Sequence, residues 1–270
     1  MTKISLVVSD VDGTLLTKDK TLTDRARSAV QRLHQAGIGF TITSSRPAIG
    51  MRFLTEPLAL WLPVGPFNGS SIVDPEMNPV EQHLIPKSAV ERSLQILREF
   101  GADIWLFTTD KWLIDNASGK YVAHEQHTIR SDPTMVTDFT PYLAGACKIV
   151  GASADAAGLE ACEKAMQQAL GNEATAVRSQ TYYLDITPPG FDKGTFVQAM
   201  AKRLDVSLDA VATIGDMQND LAMFRVSGTS IAMGNATDSV KDQATNVTAT
   251  NEQDGFAEAM EMILKRNGVG

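Results

Sequence analysis

The chain has 270 residues, 43% of them apolar, with 24 basic against 32 acidic side chains and a formal charge of −8. Its length lies between one large domain and two modest ones, and its charge argues against a nucleic-acid partner, because phosphate backbones are held by clustered Lys and Arg. Cys147 and Cys162 lack the spacing of a disulfide framework or a zinc site, the N-terminal apolar run is too short for a signal-peptide core, and no membrane-spanning stretch follows. The expectation is a soluble, cytoplasmic protein with no membrane partner.

Residues 4–8 read as a strand running directly into Asp10-Val11-Asp12-Gly13-Thr14-Leu15. Two acids one residue apart share a side of an extended strand, so their carboxylates are expected to converge where the strand gives way to a Gly turn. That is costly without a metal ion or a bound proton. Taken alone, the pair also fits an Asx turn capping a strand end. Leu22, Ala26, Ala29, Val30 and Leu33 then recur at helical spacing behind the N-cap Thr23, Gly37 ends the run, and 38–43 reads as a second strand. Strand, helix, strand is the opening of a parallel sheet with helices on its faces. From 64 to 74 another strand is interrupted at Asn68-Gly69, and 71–73 is placed to pair with 80–84.

The pattern then changes. Ser88 and Glu91 read as a capping box for a helix with Val90, Leu94 and Leu97 inward, and 103–108 and 111–115 as strands. The polar stretch 116–141 carries no readable period. Residues 146–152 read as a strand, Ser153 as the cap of a helix with Leu159, Cys162, Met166 and Leu170 on one face, and 174–177 and 182–187 as strands. This α+β succession marks 84–188 as an inserted domain, with Pro188-Pro189-Gly190 as the return hinge, between core segments 1–83 and 189–270. Alternation then resumes: a helix from Asp192 with Phe196, Val197, Met200 and Leu204 inward, a strand at 211–214, a helix from about Asn219, a strand at 230–233, a short helix after Thr237 and a last helix with Phe256, Met260, Ile263 and Leu264 inward. The expected fold class is α/β, a Rossmann-like parallel-sheet core with an inserted α+β domain.

Three further patches carry chemistry. Thr43-Ser44-Ser45-Arg46 follows the second strand, where open α/β sheets bind ligands, although it also fits an ordinary Ser/Thr turn. Lys193 occupies the first turn of its helix, where the macrodipole disfavours a cation by about 0.3–1 kcal/mol, so an anion is expected beside it unless the head is simply solvated. Gly215-Asp216-Met217-Gln218-Asn219-Asp220 offers hard oxygen ligands of the kind Mg²⁺ takes, or a helix N-cap cluster without metal.

The four patches, DVDGTL at 10–15, TSSR at 43–46, DKG at 192–194 and GDMQND at 215–220, resemble in order the four motifs of the haloacid dehalogenase (HAD) superfamily. With the Asn68-Gly69 break, the length of the insert and Met233-Gly234-Asn235-Ala236, the chain is similar to the Cof-type phosphatases (subfamily IIB), whose α/β cap lies between the second and third motifs. One departure is that the second motif more often reads Thr-Gly-Arg. Ser44 keeps the hydroxyl.

The resemblance implies that Asp10 attacks phosphorus to form an aspartyl phosphate and that Asp12 is the acid and then the base. It implies Mg²⁺ held by Asp10, the backbone carbonyl of Asp12 and Asp216, with Ser44, Lys193 and Asn219 on the phosphoryl oxygens. Asp220 is expected behind them, orienting Lys193 or a metal-bound water. The implied function is a Mg²⁺-dependent phosphatase of a small phosphorylated metabolite. A sugar phosphomutase of the same superfamily and a metabolite-binding or regulatory module with a disused site are the competing readings. His124 and His127 lack a third ligand and are expected in solvated loop, Trp105 and Trp112 in the core of the insert, and Arg46 beside the pocket.

Overall fold

The computed structural model describes residues 2–269. The chain divides into two compact units, one running up to Ser45, taking in Arg52–Val80 and resuming from Phe191, the other made of Arg46–Met51 and Glu81–Gly190.

The first unit is built on a parallel sheet with strand order Asn246–Val247, Thr229–Ala232, Val211–Gly215, Leu6–Ser9, Gly39–Ile42. Every residue of its four longer strands is buried, which is why they read as near-continuous apolar runs: helices cover both faces. The helix Asp24–Gln35 starts at Thr23, whose hydroxyl accepts from the Ala26 N–H at 3.1 Å, and turns Ala26, Ala29, Val30 and Leu33 inward. It packs against Gly255–Arg266, whose Phe256 meets Phe40 of the sheet edge-on at 5.9 Å. A second cluster joins Leu6, Val8 and Val211 to Phe196, Val197 and Met200 of helix Lys193–Arg203 and to Leu221, Met223 and Phe224 of helix Leu221–Val226. Each such side chain contributes about 1.5–3 kcal/mol. Together they offset the cost of holding charged groups at the strand ends.

Parallel register decides where those ends lie. Ser9 is level with Ile214 on one side and Ile42 on the other, and Gly215 is level with Ala232. The residues that follow, Asp10, Thr43-Ser44 and Asp216, therefore leave the sheet along one edge, its carboxyl end.

The second unit holds a six-stranded sheet ordered Thr134–Met135, Trp112–Ile114, Asp103–Phe107, Lys148–Ala152, Tyr183–Thr187, Thr175–Gln180, antiparallel except for its first pair. Ile104, Leu106, Leu113, Ile149, Leu184 and Ile186 pack on the helices Lys87–Glu99 and Ala156–Leu170. Period-two alternation sends Trp105 and Trp112 to the other face, where the indoles meet edge-on at 5.3 Å and are buried. The α/β architecture expected from the sequence is present, with a parallel sheet in one unit and an α+β layer in the other.

Local details differ from the sequence reading. Ser88 does not cap: its helix begins at Lys87 behind Pro86, and the Ser88 hydroxyl bonds Glu173 instead. The cap of the next helix is Asp155, which accepts from the Gly158 N–H, while Ser153 accepts from Asp155. The unreadable stretch holds a helix, Val122–Ile129, and the short strand Thr134–Met135. Among the described residues, no helix is long and apolar enough to cross a membrane.

Candidate active site

At the carboxyl edge of the parallel sheet, Lys193 bridges two acids. Its Nζ lies 2.5 Å from Asp10 Oδ1 and 2.6 Å from Asp220 Oδ1, and all three residues are buried. Lys193 is the first residue of its helix, placed by a capping box between Asp192 and Thr195. The two carboxylates more than compensate the unfavourable end of the macrodipole. Asp220 is itself fixed: its Oδ2 accepts from the backbone N–H groups of Asp216 and Met217, each at 2.8 Å. Only glycine fits at 215, because a Cβ there would lie 2.3 Å from the Asp220 carboxyl carbon.

Asp216 completes the group. Thr14 Oγ1 donates to its Oδ1 at 3.2 Å and Asn235 Nδ2 to its Oδ2 at 3.1 Å. Gly13, at φ 78°, lets this carboxylate approach, since a Cβ would stand 2.4 Å from Oδ2. Oxygens of Asp10, Asp216 and Asp220 all lie within 4.8 Å of one another.

The electrostatics follow from burial. Burial is the largest push on the Asp10 carboxyl, Lys193 pulls it down and Asp220 and Asp216 push it up, and together they raise it to about 8. Asp216 rises to about 6, first by burial and then by Asp220, with Asp12 adding to the push. Burial alone would lower the Lys193 pKa, but Asp10 and Asp220 outweigh it and hold the ammonium charged. With all three acids ionised beside one ammonium, this buried space of hard oxygen donors would carry an excess of two negative charges, which protons on Asp10 and Asp216 relieve. Such a donor set fits one divalent oxygen-loving cation, which would release the acids from holding protons.

The remaining expected residues are arranged around this group. The strand ends at Ser9, so alternation does not govern the two opening acids, and they take different partners. Asp12 is partly exposed and pairs with Lys20 at 2.7 Å. Ser44 is buried; its N–H donates to the Gly65 carbonyl at 3.0 Å and its carbonyl accepts from the Asn68 N–H at 2.7 Å. Asn219 is exposed, and its amide donates to Asn68 Oδ1 at 3.1 Å. Asn68, read from sequence only as a break, thus connects the Ser44 and Asn219 loops from a left-handed conformation at φ 56°.

Thr14, Lys20 and Asn235 also went unassigned in the sequence. Thr14 and Asn235 carried a signal, the first as the hydroxyl after Gly13 and the second within Met-Gly-Asn-Ala. Arg46 belongs to the second unit, where its buried guanidinium donates to the carbonyls of Gly50 and Thr128. His124 and His127 are exposed on the helix Val122–Ile129, outside the acid cluster.

A family model described as haloacid dehalogenase-like hydrolase matches residues 7–260. The chain belongs to this family. A 5-amino-6-(5-phospho-D-ribitylamino)uracil phosphatase of Bacillus subtilis (strain 168) is 27% identical over 258 residues, spanning 95% of this chain and 94% of its own. The HMP-PP phosphatase of Yersinia pestis (strain Pestoides F) is 28% identical over 257 residues, 93% and 92% of the two chains. The crystal structure of a haloacid dehalogenase-like hydrolase from Bacteroides thetaiotaomicron matches with a TM-score of 0.91 at 28% identity, covering 97% of this chain and 100% of that one. This haloacid dehalogenase-like hydrolase is an enzyme of the phosphatase type, as its Cof-type resemblance implied.

Proposed function

We propose that this hydrolase is a Mg²⁺-dependent phosphatase of a small phosphorylated metabolite, working through an aspartyl phosphate on Asp10 in the cytoplasm. The observation that carries the reading is the buried group of Asp10, Lys193, Asp216 and Asp220 with its excess of negative charge. Asp10 is the nucleophile: Lys193 holds its Oδ1, and the carboxylate attacks phosphorus while the ester oxygen leaves. Asp12, outside the buried group and partly exposed, gives that oxygen a proton and later takes one from the water that cleaves the acyl phosphate. Ser44, Lys193 and Asn219 bind the phosphoryl oxygens, and Asp220 orients Lys193. Asp10, Asp216 and the Asp12 carbonyl would hold Mg²⁺, which when bound supplies charge neutralisation between carboxylate and phosphate.

Two relatives of near-equal similarity act, by their names, on different compounds, one a ribitylaminouracil phosphate and the other HMP-PP. That supports a small phosphorylated metabolite as the substrate class. Release of phosphate from p-nitrophenyl phosphate, lost with chelator and restored by Mg²⁺, tests the reaction. A screen of sugar phosphates, nucleotides, pyridoxal phosphate and flavin mononucleotide then tests the substrate. Isomerisation of a sugar phosphate on addition of a bisphosphate, without free phosphate, would favour the mutase, and no turnover of any of these compounds would favour a binding module.

A further inference from the structure

We propose that Asn235 is a positioning residue that sets the Asp216 carboxylate for the divalent ion, an inference that rests on the metal-dependent reading above. Asn235 lies in the loop after strand Thr229–Ala232, pinned by backbone bonds from Met233 N–H to Gly215 O and from Gly234 N–H to Ala249 O, both 2.9 Å. Its amide nitrogen donates to Asp216 Oδ2 at 3.1 Å and to the Gly13 carbonyl at 2.9 Å. Its amide oxygen accepts from the Asn251 N–H at 3.0 Å. That last bond fixes the orientation, because a backbone N–H can only donate, so oxygen faces Asn251 and nitrogen faces the two acceptors. One side chain therefore ties together the loops that carry Asp10 and Asp216.

The chemistry of the tether matters. With Thr14 on Oδ1 and Asn235 on Oδ2, each Asp216 oxygen receives one donor and keeps a lone pair for a metal. A Lys in place of Asn235 would cancel the charge that a dication needs; a neutral amide orients the carboxylate and leaves it intact. Asn235 reaches the cluster from the exposed side, so its removal empties no core volume. Asn251 supplies a contrast: its side chain is buried and donates to the Leu16 carbonyl at 2.9 Å, but its contact with Asn235 is through the backbone.

The test is calorimetric titration of Mg²⁺ into metal-free wild type, Asn235→Ala and Asn251→Ala, with a thermal melt of each metal-free protein. Asn235→Ala is expected to raise the Mg²⁺ Kd by about 10-fold or more with little change in Tm. Asn251→Ala is expected to lower Tm and keep Kd near wild type, because its N–H remains. A wild type that binds Mg²⁺ and an Asn235→Ala variant with the same Kd would overturn the positioning role alone. A wild type that binds no Mg²⁺ would overturn it together with the metal-dependent reading.

Discussion

Lys193 Nζ and Asp220 Oδ1 meet at 2.6 Å with neither side chain reaching solvent, and the second oxygen of Asp220 is anchored on the backbone that carries Asp216. An ammonium at a helix N-terminus is thus fastened to the neighbouring strand's loop. Breaking one side of such a pair strands a buried charge, so Asp220→Ala is expected to cost about 3–5 kcal/mol in urea unfolding. Lys193→Met alone leaves the carboxylates unopposed and should also destabilise. The double variant should cost less than the sum, with a coupling of about 0.5–3 kcal/mol. Strict additivity would show that the contact does not act as a unit.

Gly13 makes a second, sharper case. Its left-handed backbone and the carboxylate 2.4 Å from where a Cβ would stand leave no room for alanine. Gly13→Ala is expected to fold, because the sheet does not depend on this turn, but to displace Asp216. An error near 1 Å at a reacting centre costs on the order of 100-fold, so kcat/KM for p-nitrophenyl phosphate should fall about that far with a near-normal far-ultraviolet circular dichroism spectrum. Activity within a few-fold of wild type would mean that the loop yields without moving the acid.

These side chains were legible in the sequence because parallel strands buried on both faces leave long apolar runs, and polar residues just beyond them stand out. Asp10, Asp216 and Asp220 stand in such patches, and Lys193 stands out as a cation in the first turn of its helix. What escaped depends on contacts between distant residues. The helix Val122–Ile129 buries only its two ends, Val122 and Ile129, so no apolar stripe announces it. Ser88 and Glu91 have capping-box spacing, but Pro86 starts the helix sooner and Glu173, far along the chain, claims the hydroxyl. Lys20, the partner of Asp12, itself takes a left-handed backbone at φ 57°, which no local pattern specifies.

Raised carboxyl pKa values have a definite consequence for the metal-free protein. A group whose pKa is higher folded than unfolded keeps its proton in the native state and sheds it on unfolding. Between the ordinary 3.8 and about 8 for Asp10, and up to about 6 for Asp216, the native state therefore binds more protons and stability falls as pH rises. On the metal-dependent reading, a bound dication would take the place of those protons. The Tm gain from Mg²⁺ is thus expected to be larger near pH 8 than near pH 5, as read by thermal melts with and without chelator. Equal gains at both values would mean that the ion does not engage these acids.

On the roles proposed for them, the two opening acids should separate kinetically. Asp10→Asn would remove the attacking charge, so no covalent intermediate is expected with any substrate. Asp12→Asn leaves attack possible but removes the proton donor, which matters greatly for an alkyl phosphate and little for p-nitrophenolate, a leaving group stable without a proton. Cleavage of the acyl phosphate still needs the base at position 12. With p-nitrophenyl phosphate, Asp12→Asn should therefore give a burst near one equivalent of phenolate and then slow turnover, whereas a sugar phosphate should give none. The exposure of Asp12 and its ion pair with Lys20 accord with a residue that exchanges protons with water and leaving group, and the burial of Asp10 against Lys193 accords with a held nucleophile. Rapid-quench kinetics on both variants decides the assignment: a burst from Asp10→Asn and none from Asp12→Asn would reverse the two roles.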